Sequence, residues 1–124
     1  MGPNDELYVA WAVNESIMFD RSYDGGKTWL NHDINAADMT GGWAQTVKSI
    51  GRVNGMPVTA VDLAPDSPHF GRIYINWTDE RNGEDDLDVF LTYSDNNGDS
   101  WCTPIRVNDD GPGKQQFFTW MAVD

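Results

Sequence analysis

Three features of this sequence predict an all-β fold. Its apolar residues fall in short alternating segments separated by Gly, Asn and Asp, which is how half-buried strands and their turns are written. No eleven-residue window holds a convincing 3.6-residue period. The acidity also sits in a turn-forming residue, with 16 Asp against 4 Glu in 124 residues.

Taken in order, Leu7 to Val13 (LYVAWAV) and Ser16 to Ser22 (SIMFDRS) read as strands. Asp24-Gly25-Gly26 then turns the chain into a short strand from Thr28 to Ile34. Residues 35–56 carry little strand signal and are punctuated by Gly41-Gly42, Gly51, Asn54-Gly55 and Pro57. Strands resume over residues 58–63, 72–77, 88–94 and 100–107. After Asp109-Asp110-Gly111-Pro112-Gly113 the apolar stretch 117–123 predicts a last strand, for about eight in all.

Internal repetition organises these strands. Ser22-Tyr23-Asp24-Gly25-Gly26-Lys27-Thr28-Trp29 matches Ser94-Asp95-Asn96-Asn97-Gly98-Asp99-Ser100-Trp101, 72 residues later. Leu7-Tyr8-Val9-Ala10-Trp11 matches Ile73-Tyr74-Ile75-Asn76-Trp77, and Ala60-Val61-Asp62 recurs as Ala122-Val123-Asp124. One four-strand unit is therefore present twice, offset by one strand. The copy over 58–107 is complete; the copy over 7–34 lacks its first strand, which reappears as 117–123.

The repeated Ser-x-Asp-x-Gly-x-Thr-Trp resembles the Asp box, or bacterial neuraminidase repeat, of sialidase-like β-propellers. The first copy matches at Ser22, Asp24, Gly26, Thr28 and Trp29. The second keeps Ser94, Gly98 and Trp101, with Asn96 at the Asp position and Ser100 for Thr. The segment Phe70 to Val107 is also similar to bacterial sialidase-like repeat proteins. The resemblance implies four-stranded antiparallel blades, two per chain, with these ten residues as structural hairpin braces between the third and fourth strands. It also implies a secreted or cell-surface setting, although Met1-Gly2-Pro3-Asn4-Asp5-Glu6 lacks the basic and apolar regions of a signal peptide.

Two blades do not close a ring, since propellers use about 4–8. The strand 117–123 must complete the first blade, in its own chain or in a neighbour. The six blades of sialidase-like propellers lead to the expectation of a homotrimer with a six-bladed ring, joined head to tail. The rival is a piece excised from one longer propeller.

In such a blade the box turns lie at one end, and the loops 36–56, 79–87 and 108–116 lie at the other, where sialidases work. Trp43, Arg52, Asp79, Arg81, Asn82 and Gln115 are the candidate ligand residues, because an aromatic face beside amides and charges suits a sugar. The bland alternative is that Trp43 pins a long loop. Asp79, Asp85 and Asp86 could hold Ca²⁺, which takes six to eight oxygens, or form an Arg-bridged solvated loop.

The resemblance also names catalytic features: a Tyr nucleophile with a Glu partner, an Asp acid/base and three Arg on the substrate carboxylate. No Arg here lies in the family's Phe/Tyr-Arg-Ile-Pro motif, and Thr103-Pro104-Ile105-Arg106 has those letters in another order. Tyr8 and Tyr74 are repeat equivalents, while Tyr23 and Tyr93 flank the boxes, so all four read as packing and no catalytic residue is assigned. A glycan-binding or structural repeat unit that self-assembles is the leading expectation. An exo-sialidase type glycoside hydrolase, or a fragment of one, is the alternative, and a ligand-free scaffold the third.

A formal charge of −12 disfavours nucleic acid and anionic membranes as partners. No 18-residue apolar run exists. Cys102 is the sole cysteine, which excludes an intrachain disulfide. His32 and His69 are isolated in polar contexts and read as surface residues.

Overall fold

The computed structural model covers residues 1–124 and is all-β, with no helix. Nine strands run in order: β1 (Leu7–Val13), β2 (Ser16–Ser22), β3 (Ile34–Asp38), β4 (Ala44–Val47), β5 (Gly51–Asn54), β6 (Val58–Val61), β7 (Ile73–Asp79), β8 (Asp88–Ser94) and β9 (Ile105–Arg106). They form three antiparallel sheets, ordered β1-β2-β3, β4-β5 and β6-β7-β8-β9.

The first and third sheets repeat one another. Tyr8 pairs with Arg21 and Ala10 with Phe19; 66 and 72 residues on, Tyr74 pairs with Tyr93 and Asn76 with Leu91. Asp5 bends the chain before β1 at φ 65°, as Gly71 does before β7 at φ 83°. One strand has no counterpart: β7 is flanked by β6 and β8, whereas β1 has β2 on one side and no strand on the other.

Side chains opposite one another across a ladder share a face, and alternation gives each large sheet two. The first sheet turns Tyr8, Ala10, Ile17, Phe19 and Arg21 toward the third, which answers with Ile73, Ile75, Trp77 and Phe90. Most of these side chains, with Ala36, Ala37 and Met39, make up the main buried core. Phe19 meets Trp101 edge-on at 5.0 Å between centroids. Arg21 reaches across to the Asn97 carbonyl at 2.5 Å and the Asp99 carboxylate at 2.6 Å. The opposite faces are uncovered by any sheet: Val9, Trp11 and Met18 on the first, Tyr74, Leu91 and Tyr93 on the third, all partly exposed.

Both repeated turns close with the same bonds. Gly26 N–H donates to Ser22 Oγ at 2.8 Å, and Gly98 N–H to Ser94 Oγ at 2.8 Å. Thr28 N–H donates to Asp24 Oδ1, and Ser100 N–H to Asn96 Oδ1. Trp29 and Trp101 each donate Nε1–H to the turn carbonyl, of Gly26 and Gly98 respectively, at 3.0 Å. Gly26 and Gly98 sit at φ 87° and 91°, in the left-handed region that glycine enters at least cost. One bond changes polarity: the Thr28 hydroxyl donates to Asp24 Oδ2, while the Asn96 amide donates to the Ser100 hydroxyl.

Four expected segments differ from the structure. The strand expected over 28–34 starts only at Ile34, because Thr28 and Trp29 are tied to the turn and Leu30 N–H bonds the Asp20 side chain at 3.0 Å instead of a ladder carbonyl. The strand expected over 100–107 shrinks to β9. There Pro104 has no N–H to give, and Cys102 keeps one backbone bond to β8, its N–H donating to the Tyr93 carbonyl. Side-chain bonds take the rest: the Cys102 carbonyl accepts from Thr92 Oγ1 at 2.7 Å and Cys102 Sγ from Tyr93 N–H at 3.3 Å. Residues 36–56, expected as loop, hold the end of β3 and the β4–β5 hairpin, whose Gln45, Val47 and Val53 are buried on one side. Residues 117–123 form no strand and pair with none in their own chain.

Candidate functional site

The three polar loop regions gather at one end of the sheets, opposite the repeated turns. Glu80 N–H donates to the Thr40 carbonyl at 3.1 Å, tying the loop after β7 to the chain after β3. Gln45, fully buried, donates to the carbonyls of Gly42 and Thr78 at 3.1 and 2.7 Å and accepts from Thr78 Oγ1. That latches the β4–β5 hairpin over β7. Under the hairpin Val47, Val53 and Leu87 form a second small core, against which Phe117 packs. Asp86 accepts from Gly113 and Lys114 N–H, and Gln116 N–H donates to the Leu87 carbonyl, which brings residues 113–117 into the same end.

The candidate ligand residues do not converge on one cavity. Trp43 and Arg52 pair across the hairpin, the guanidinium 4.9 Å from the indole centroid. Asp79 and Arg81 form a closed unit instead. Asp79 is fully buried, accepts from Trp77 Nε1 at 2.8 Å, and takes Arg81 through Nε and the terminal Nη2 at 2.9 and 2.5 Å. The Arg81 guanidinium also lies 4.2 Å from the Phe90 centroid and donates to the Asp38 carbonyl. Both charges are thus spent inside the protein, at the junction of the two large sheets. Asn82 donates to the buried Asp88 carboxylate, and Gln115 accepts from Leu87 N–H at 3.1 Å.

The carboxylates considered for Ca²⁺ point apart. Asp79 faces Arg81, Asp86 faces the amides of 113–114, and Asp85 lines an open cleft. No group of three metal-ligating side chains converges anywhere in the chain.

A second ion-paired network braces the loop after β9. Burial opposes the charge of Asp88, yet hydrogen bonds from Arg106, Asn108 and Asn82 outweigh it and hold the carboxyl below its ordinary range. Arg106 and Asn108 reach Asp88 at 2.7 and 2.5 Å, and Asn108 also reaches Asp110 at 2.6 Å. These residues keep a Pro/Gly-rich loop in one shape.

The largest open cleft, about 540 Å³, is lined by Ala44, Thr46, Lys48, Glu80, Glu84 and Asp85. Among the sequence-derived candidates only Asp85 lies here. Burial, with Glu84 and Asp79 as like-charged neighbours, raises the Glu80 carboxyl above its usual range. The signal for Glu80 and Glu84 was available in their four-residue spacing within one acidic loop; what hid the cleft was its other wall, β4, in a stretch that read as strandless. No family model, curated protein or solved structure matches this chain. Its function is therefore read from its own geometry. A cleft with three carboxylates, one lysine and one hydroxyl offers hydrogen bonds to a hydroxyl-rich ligand and repels an anionic one. No helix is long and apolar enough to cross a membrane.

Proposed function

We propose that this chain is a sialidase-like, Asp-box repeat module that self-assembles into a propeller-type ring and presents a neutral-glycan-binding cleft at its loop end. The observation that carries this reading is the agreement of the two repeated turns in their glycine, Thr28/Ser100 and tryptophan bonds, within two stacked sheets that repeat one another. A structural role for the turns is supported further by Asp24, whose carboxyl is committed to Thr28, Ser22 and Lys27 of its own turn. The cleft of Thr46, Lys48, Glu80, Glu84 and Asp85 supplies the polar surface that a sugar's hydroxyl edges require. Its acidic balance favours a neutral sugar over a sialylated one.

One observation favours the alternative, a glycoside hydrolase: Glu80, raised by burial and by its like-charged neighbours, lines the same cleft as Glu84, and two carboxyls in unlike environments are what acid–base cleavage of a glycoside uses. Tyr8 does not join it, since burial and the charge of Glu6 push its hydroxyl up to about 12, away from a nucleophile's requirement.

A glycan array run beside a fluorogenic glycoside assay separates the readings. Binding without turnover, abolished by Glu84→Ala, is the expected result. Turnover lost in Glu80→Gln would instead make the chain a hydrolase, and inertness in both assays would reduce it to a scaffold.

A further inference from the structure

We propose that the two uncovered sheet faces are the halves of one head-to-tail seam between copies of this chain, closed by residues 117–123 of one copy laid along β1 of the next. This rests on the self-assembly read above and adds the surfaces, the strand and its register.

The inner seam is the template. There the face of the first sheet carrying Tyr8, Ala10 and Phe19 meets the opposite face of the third, and Trp101 caps Phe19. By the repeat, Tyr74, Asn76 and Leu91 reproduce the first of these faces, where no sheet packs and only the segment at Thr119 covers Asn76; Val9, Trp11 and Met18 reproduce the second, which no sheet covers either. Trp29, the counterpart of Trp101, is 39% exposed. Placed on a neighbour's Leu91, it would repeat the Trp101–Phe19 contact. The packing seen inside the chain is thus available at both of its ends.

The segment 117–123 is poised at this seam. Asn76, on the uncovered face of the third sheet, donates to Thr119 Oγ1 at 2.7 Å, so the segment lies over the face where the next copy's first sheet would dock. Phe118 and Trp120 there are 63% and 84% exposed, and the buried Asn76 Oδ1 lacks a partner. The arriving sheet presents β1, whose outer edge is unpaired, and such an edge takes up a further strand.

Register follows from β6, which pairs Val58↔Asn76, Thr59↔Ile75, Ala60↔Tyr74 and Val61↔Ile73 with β7. Moved to the first copy, this sets Trp120 opposite Ala10, Met121 opposite Val9, Ala122 opposite Tyr8 and Val123 opposite Leu7. The largest side chain of the donated strand falls against one of the smallest on β1. A heterologous contact of this kind closes into a ring when its rotation allows. Three copies stack six large sheets, within the roughly 4–8 that rings use.

The test measures mass and register separately. Light scattering on the eluting chain should give three copies; a single 13.9 kDa species would overturn both the assembly and the seam. Mixing a Val9→Cys chain with a Met121→Cys chain under oxidation should yield their mixed disulfide, since directly opposed strand residues lie within bridging distance. A Trp11→Cys and Val123→Cys pair, four positions out of register, should yield none, and peptide mapping separates either product from Cys102 adducts. An oligomer that forms the second bridge and not the first would overturn the seam and leave self-assembly standing. Leu91→Lys should shift the mass to monomer with its β-sheet circular dichroism intact; a trimer retained in that variant would overturn the docking face.

Discussion

Gly98 lies so close to the ring of Phe19 that a β-carbon there would overlap it. The contact joins the second repeated turn to the first sheet, and it is possible only because position 98 has no side chain. Gly26, its repeat equivalent, meets nothing nearer than Leu7 at 3.4 Å.

Alanine at the two positions separates backbone cost from packing cost. Both glycines share a left-handed φ, so that penalty is common to both variants. Overpacking adds about 1–3 kcal/mol at Gly98 alone. Gly98→Ala is therefore expected to lower the urea midpoint well below that of Gly26→Ala, as followed by far-ultraviolet circular dichroism.

The Asp24 turn predicts an acid-sensitive component of stability. Thr28 N–H, the Thr28 hydroxyl and the Ser22 hydroxyl bring its carboxyl down to about 2. A depressed folded-state value stabilises above the unfolded value near 4 and loses that contribution as pH falls through about 2. Asp24→Asn should keep the turn, as Asn96 does in the second copy, and lose less stability than the parent between pH 5 and pH 2.5 in urea titrations.

Removing the cation from the buried Asp79 leaves a carboxylate with no counter-charge between the large sheets. Arg81→Ala is expected to cost about 3 kcal/mol, and Arg81→Lys to recover only part, because an ammonium cannot fork across both carboxylate oxygens. Calorimetry of the two variants measures the difference.

Gln45 predicts a local effect. Gln45→Ala leaves the Gly42 and Thr78 carbonyls without that donor, at about 1–3 kcal/mol. Hydrogen exchange should accelerate across β4 and β5 while β7 and β8 stay protected; uniform acceleration would mean the hairpin is not a separately held unit.

How much of this was legible in the sequence depended on whether bonds were local. β1, β2 and β8 end where alternation ends, and the turns follow from Ser, Asp and Gly spacing, because each is settled within a few residues. β4 and β5 were hidden by the glycines around them, although Gln45, Val47 and Val53 keep the strand period; their burial comes from Leu87 and Phe117, far along the chain. Residues 28–33 and 100–104 carry strand-like composition, yet a side-chain bond to Asp20 replaces the ladder in the first and side-chain bonds of Thr92 and Cys102 leave it a single backbone bond in the second. The candidate site was half legible for a related reason. Asp79 and Arg81 look available in a loop, and only the fold reveals that they neutralise each other against Trp77 and Phe90, while Glu80 gains its environment from a strand the pattern concealed.

The reversed bond between Asn96 and Ser100 bears on how the molecule ages. Aspartate formed from asparagine turns a donor into a charge, which most capped positions would not accommodate. At position 96 it would find the arrangement already present at Asp24 and Thr28, reached by rotating one hydroxyl. The second turn thus tolerates aspartate there, and only the isoaspartate that succinimide opening also yields would break it.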